Sequence, residues 1–313
     1  MRYIDKYRMH SAAHAINVKF LKDCYADDIH KPLPSPANPK SSYEDFKNPK
    51  YRDGVSGWKN LLLEEQKSEG HPRCCYCMRR LNPSASKINY EHIIPRSLSG
   101  AEGQEQYAYY SSHAPALHDH VIMADKFGKK SFASTNDIEG EDKMPHITAL
   151  SNLVVACNGT RDTFNTIGCC CNGNRKDNKI LPIMLMEQAS TEVKYDQNGI
   201  MSISCNDGTL NQMIDELNSD TFKEIRSVWY HLSRVSKDIS NALTMPMKER
   251  IEWFKSAYST TNFATLKTEV RRYSGFSGFG GKDKDNADTY WKLLLAYDWF
   301  YYYPGYAKQR ATT

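Results

Sequence analysis

Seven of the nine cysteines fall in two short stretches, Cys74, Cys75 and Cys77, then Cys157, Cys169, Cys170 and Cys171. Neighbours this close cannot form disulfides with one another without strain, and no export signal precedes them, so the clusters read as metal ligands. Cys74 and Cys77 have the C-x2-C spacing that wraps two thiolates round one zinc ion, with Cys75 as an additional thiol. Cys157 supplies a third ligand, and one of Cys169, Cys170 and Cys171 the fourth. Four thiolates close a tetrahedron and leave no position for water, so such a zinc is structural. Cys24 and Cys205 stand alone and read as buried apolar fillers.

A second chemistry sits at Glu91-His92, followed by Ile93-Ile94-Pro95. Phosphodiester hydrolysis needs a base to activate water and a hard cation to take charge from the leaving oxygen. An imidazole, a carboxylate oxygen and an amide oxygen meet both demands. Arg79, Arg80, Arg96, Arg161, Arg175 and Lys176 cluster along the sequence around these groups and suit a track of backbone phosphates.

These groups need elements to hold them. Residues 56–67, SGWKNLLLEEQK, have helical spacing, with Ser56 as a cap and Gly70 as a terminator. Residues 78–81 and 87–90 read as two strands flanking the turn-forming NPSAS, a hairpin that delivers His92. Residues 150–156 supply a strand or buried turn, and 172–180 a helix stopped near Pro182. The first 27 residues suit one or two amphipathic helices, 31–52 a long connection rich in breakers, and 97–145 an irregular insertion with one helix at most. Beyond the site, 192–205 form a hairpin around Asn198-Gly199, a pair suited to a type I′ turn. Residues 209–245, 248–259, 262–273 and 288–303 are helical in pattern.

A chain of 313 residues suggests roughly two domains at about 150 residues each. It contains no apolar run long enough for a membrane helix, and its charged, interrupted start is unlike a signal peptide; a cytoplasmic protein is expected. Residues 1–100 hold 17 Lys/Arg against 11 Asp/Glu, whereas 101–150 hold 4 against 8, a gradient compatible with phosphate binding in the first part.

The combination C-x2-C at 74–77, Glu91-His92-Ile93-Ile94-Pro95, Asn152-Leu153-Val154-Val155-Ala156-Cys157, and Cys171-Asn172 followed by Arg175-Lys176 resembles the HNH endonucleases. The longer run LLLEEQ, CCYC, EHIIP and SNLVVAC further resembles the PtuB-type HNH proteins of the Septu and retron-associated phage-defence systems. The resemblance implies a ββα-metal finger, with His92 as general base, Glu91 as a metal ligand, Asn152 as the residue that orients His92, and Asn172 as the second ligand of Mg2+ or Mn2+. It favours Cys171 as the fourth zinc ligand, with Cys169 and Cys170 as rivals; Asn174 rivals Asn172. It also implies DNA as substrate, with structured RNA such as tRNA as an alternative. A PtuA-type ATPase is the implied partner, in retron settings with the reverse transcriptase and its DNA product. Two spacings depart from compact relatives: His92 and Asn152 are 60 positions apart, and Cys157 and Cys171 are 14 apart.

The expected fold class is α+β, a zinc-stabilised HNH core with N-terminal helices and a mainly helical C-terminal region. Residues 1–55 form an N-terminal helical segment and linker. Residues 56–183 form the nuclease domain, with its insertion at about 97–150, and 184–313 a hairpin and helical domain suited to docking a partner. His118-Asp119-His120 with His113 has metal-ligand chemistry, and His146 lies near Asn152. The glycine-rich GFSGFGGK at 275–282 lacks the Ser/Thr and preceding strand of a phosphate loop. The aromatic helix at 288–303 suits either a partner surface or the core. The alternative to a nuclease is a catalytically silent zinc module that binds nucleic acid or protein.

Overall fold

The computed structural model describes residues 3–26, 39–68, 70–82, 88–157, 171, 183–187, 192–204, 217–218, 222–223, 225–227, 229, 296–297 and 299. Asn172, Asn174, Arg175, Lys176, Arg161, Cys169, Cys170, Cys205, the 275–282 loop and most of the expected C-terminal helices lie outside them. The described elements mix helices with four two-stranded sheets, an α+β arrangement.

Helix α1, His10–Ala26, buries Ala13, Asn17, Val18, Phe20 and Leu21. Where a long connection was expected, two short helices stand instead, α2 at Pro39–Phe46 and α3 at Pro49–Arg52, the latter started by the Asn48 side chain and Pro49. They form because their aromatics have partners distant in sequence. Phe46 packs on Phe20 at 4.9 Å and on Trp58 at 5.7 Å, and Trp58 meets Tyr90 edge-on at 4.9 Å. Trp58 also donates its indole N–H to Phe46 O at 3.0 Å.

Helix α4, Trp58–Glu65, is capped by Gly57 rather than Ser56. A Cβ at Gly57 would fall 2.3 Å from the carbonyl oxygens of Arg52 and Asp53, so only glycine lets the chain turn there. Strands β1, Lys67–Ser68, and β2, His71–Pro72, then form a tight hairpin through Gly70.

Strand β3, Ile88–His92, is the first half of the central ribbon. Its partner is not residues 78–81, because Arg80 bridges back to Arg73 to close the thiol loop. The partner is β6, Leu153–Cys157, antiparallel, in a register that sets Ile88 opposite Cys157 and His92 opposite Leu153. The expected local hairpin is thus replaced by a long-range pair. Every residue of β6 is buried, which its unbroken apolar run LVVAC permits and which the solvated face of a hairpin strand would not.

Between the two strands the insertion is ordered, contrary to the irregular excursion expected. It contains α5 (Gly100–His113), α6 (Pro115–His120), β4 (Val121–Ile122), α7 (Ala124–Phe127), α8 (Thr135–Glu139) and β5 (Met144–Pro145), with β4 and β5 parallel. Its helices other than α5 are too short for a 3.6-residue period to show in sequence. Each is held by a few buried anchors: Leu117, Phe127, Ile138. A 3-10 turn at Leu150–Asn152 leads into β6. A second such turn, Ile183–Leu185, has its Met184 carbonyl accepting from Ile4 N.

Strands β7, Lys194–Tyr195, and β8, Met201–Ser202, form the expected hairpin, but Asn198 keeps a negative φ, so the turn is not type I′. Gly199 alone is left-handed, at φ 75°, after a turn closed by Gly199 N to Asp196 O. A Cβ there would meet Lys223 O at 2.0 Å, and Ser227 Oγ donates to Gln197 O at 2.9 Å, so the hairpin tip sits on residues 223–227. One hydrophobic core runs through the described parts of the N-terminal, central and C-terminal regions. No described helix is long and apolar enough to cross a membrane.

Candidate functional site

The tip of the Arg73–Arg80 loop places Cys74 and Cys77 beside Cys157, the last residue of β6, and Cys171. All four sulfurs lie within 4.8 Å of one another and all four side chains are buried. Met78 N donates to Cys74 O and Cys74 N to Arg79 O, with Met78 at φ 62°, so the backbone turns tightly enough to bring the two thiols of the pair to one point. Cys77 and Cys157 sulfurs are 3.9 Å apart, far beyond a disulfide. The edge of a tetrahedron with zinc–sulfur bonds of about 2.3 Å is roughly 3.8 Å. The donor set therefore fits a metal ion such as zinc, and Cys171 completes it. Burial opposes ionisation of these thiols. At Cys74, hydrogen bonding by Cys157, Cys171, Cys75 and Cys77 outweighs burial and holds its thiol well below the ordinary value, whereas burial keeps Cys77 raised.

At the other end of the ribbon stand Glu91 and His92, 9% and 8% exposed. His92 Nε2 lies 2.7 Å from Ile147 O. A carbonyl only accepts, so Nε2 carries the proton and Nδ1 the lone pair. The neighbouring carbonyls are fixed by Asn152. Its Oδ1 accepts from Ile94 N at 2.8 Å, and its Nδ2 donates to Ile94 O at 3.0 Å and His146 O at 2.7 Å. Ile93 N also donates to Asn152 O at 2.9 Å. Asn152 thus ties the segment after His92 to the segment that carries Ile147. Asn17 on α1 grips the same strap, donating to Thr148 O at 2.7 Å and accepting from Leu150 N at 3.0 Å.

His146 is fully buried, its ring Nδ1 accepting from Ala124 N at 3.0 Å while its backbone N–H donates to Ile122 O at 2.8 Å. It fastens the insertion to the strap. Burial pushes its pKa down to about 4, against the upward pull of the Arg96 carbonyl, Asp125 and the Pro95 carbonyl.

Tyr43 was not foreseen. Arriving on α2, it meets the His92 ring edge-on at 4.6 Å, and the Arg96 guanidinium sits 4.7 Å from its ring centroid. Burial raises its phenol pKa; Arg96 lowers it and Glu44 and Glu91 raise it further, which places the Glu91 carboxylate in the same group. Nη1 of Arg96 is buried and hydrogen-bonded to nothing among the described residues. The signal for Tyr43 was an aromatic inside a stretch of breakers, which no local periodicity distinguishes.

Of the other cations singled out, Arg79 lies 6.0 Å from the Tyr297 ring centroid, and Arg80 N donates to Ala296 O at 2.7 Å. Tyr297 and Trp299, from the aromatic C-terminal stretch, are buried, and Trp299 lies 5.7 Å from the buried Arg73 guanidinium. These two aromatics belong to the core beside the thiol loop. The chain matches no family model, no curated protein and no solved structure.

Proposed function

We propose that the chain is a metal-dependent endonuclease of HNH type that hydrolyses phosphodiester bonds of nucleic acid, and that it acts as the effector of an anti-phage complex. The observation that carries the reading is the imidazole of His92, held through Nε2 by Ile147 O with Asn152 locking both flanking segments. In this tautomer Nδ1 is the basic nitrogen, the one proposed to take a proton from water, and the Ile147 carbonyl then faces the N–H of the imidazolium that results. Glu91 supplies a hard carboxylate oxygen for Mg2+ or Mn2+, with Asn172, outside the described residues, as the second ligand. Such an ion, when bound, stabilises charge on the phosphate and the leaving oxygen. The half-buried Arg96, its guanidinium 4.7 Å from the Tyr43 ring centroid, supplies a cation beside His92 for a phosphate oxygen. DNA is the favoured substrate and structured RNA the rival; a PtuA-type ATPase is the proposed partner, with a retron reverse transcriptase and its DNA product in retron settings.

Incubating plasmid DNA and total RNA with the purified chain, with Mg2+ or Mn2+, tests this. Wild type is expected to cleave and His92→Ala to lose roughly 100-fold or more, the usual contribution of a positioned base. Equal cleavage by both proteins, or none by wild type alone or with its ATPase, leaves the silent zinc module as the better account.

A further inference from the structure

His10 and His14 stand four residues apart on α1, and so share one face of it. Against that face lies His120, the last residue of α6. The His10 and His120 rings stack with centroids 3.4 Å apart and 15° between planes; His14 is 5.6 Å from His10, and Tyr7 closes the far side at 5.3 Å from His120. His10 Nδ1, His14 Nδ1 and His120 Nε2 are each shielded from solvent and hydrogen-bonded to nothing among the described residues. Three ring nitrogens without partners in one place is an unusual concentration, because buried polar atoms are nearly always satisfied.

Two histidines grouped with His120 on sequence grounds have other roles. His113 Nδ1 pairs with Tyr109 O at 2.9 Å, and His118 Nδ1 with Asp119 at 2.9 Å, while Asp119 also accepts from Tyr7 OH at 2.6 Å. The third imidazole comes from the insertion and the first two from α1 near the start of the chain, which is why spacing alone did not assemble them.

We propose that His10, His14 and His120 form a second metal site, which takes a divalent first-row transition cation such as zinc. Histidines at i and i+4 on a helix are a standard bidentate arrangement for such ions, and imidazole donors select them over Mg2+. The rings of His10 and His120 are both half-buried. Asp142 is the carboxylate whose charge acts on both rings, and it supplies a nearby anion. Face-to-face stacking does not aim the lone pairs of His10 and His120 at one point, so loading requires a side-chain rotation of these half-buried rings. The site is separate from the four thiols and from Glu91-His92, and it does not depend on the nuclease reading. An ion there would tie the start of α1 to the insertion.

Calorimetric titration of zinc into the full chain already holding one zinc equivalent tests the proposal. Wild type is expected to take one further ion, His14→Ala and His120→Ala to lose it, and His113→Ala and His118→Ala to keep it. Retention of the first zinc in each variant reports that the fold survives. Cobalt on the wild type provides a readout free of substitutions: the second equivalent should add ligand-field bands with no growth of thiolate charge transfer. A wild type that takes one zinc only, a second ion that persists in both His14→Ala and His120→Ala, or a second cobalt ion bound to sulfur would each overturn it.

Discussion

His146 shows what one buried side chain does to the pH range of the molecule. In the unfolded chain an imidazole titrates near 6.5, whereas in the fold burial lowers this one to about 4. The unfolded state therefore binds more protons between these values, and stability falls as pH drops through that window. Above about 6.5 the contribution is complete; by pH 4 about 3 kcal/mol is gone. Urea unfolding at pH 7.5 and pH 5, for wild type and His146→Gln, measures it. Gln keeps an acceptor for Ala124 N–H and cannot titrate, so its stability should fall less on acidification; parallel losses in the two proteins would refute the assignment. The sequence places this residue near Asn152 but does not reveal its burial, because the partner of its ring, Ala124 N at the start of α7, comes from a separate element of the insertion.

At the scale of elements, the packing of α4 against β6 is secured by polar groups. Lys6 donates to Glu65 and, at 2.7 Å, to Leu153 O, and both charged side chains are 3% exposed. Burial raises the Glu65 pKa, with Lys6 and Arg8 pulling it back. Next to it, Gln66 accepts from Val155 N at 2.6 Å and donates to Val155 O at 2.8 Å and Arg73 O at 2.9 Å, so a side chain takes the place of a neighbouring strand. Removing one partner of a buried pair leaves a charge uncompensated, so Lys6→Met should cost about 3–5 kcal/mol. Lys6→Met with Glu65→Leu should recover most of that; a single variant as stable as wild type by chemical denaturation would mean the pair is not buried in solution. Helix α4 was legible from Trp58, Leu62 and their spacing, since its signal is local. The pairing of β3 was not. NPSAS between two short apolar runs looks like a hairpin turn, and nothing near Ile88 announces a partner more than sixty residues away. The short helices α2, α3 and α6 to α8 escaped for the same reason: long-range aromatic and aliphatic contacts hold them, and their own periodicity is too short to read.

The described molecule has the four-thiol cluster at one end of its central ribbon and Glu91-His92 at the other, and the thiol cluster was the most legible part of it. C-x2-C is recognisable because a ligand pair depends on residue type and local spacing, and the proposal for Glu91, His92 and Asn152 rests on the same kind of signal. Tyr43, the three-histidine cluster and the choice of Cys171 among three adjacent thiols depend on the tertiary path. The four-thiol centre joins the 73–80 loop, the end of β6 and Cys171, so its loss should be felt throughout. Stripping metal with a strong chelator, or Cys77→Ser, is expected to lower the melting temperature by roughly 10 °C or more, given several kcal/mol from a structural ion at about 2–4 °C each. An unchanged calorimetric melt after verified metal removal would show that the thiols pack without an ion.

The ribbon itself acts as a ruler. Asn152 immediately precedes β6 and Cys157 ends it, so the two fixtures stand five positions apart along extended chain, or about 17 Å. The alternation of side chains along a strand gives the ruler marks of one residue. Adding or deleting a single position inside β6 would turn Cys157 away from its thiols or Asn152 away from Ile94, and repairing one end would misplace the other. The chain can therefore vary in length where it leaves the ribbon, as in the long excursion between Arg96 and His146. Within the ribbon, its length is set by both ends at once.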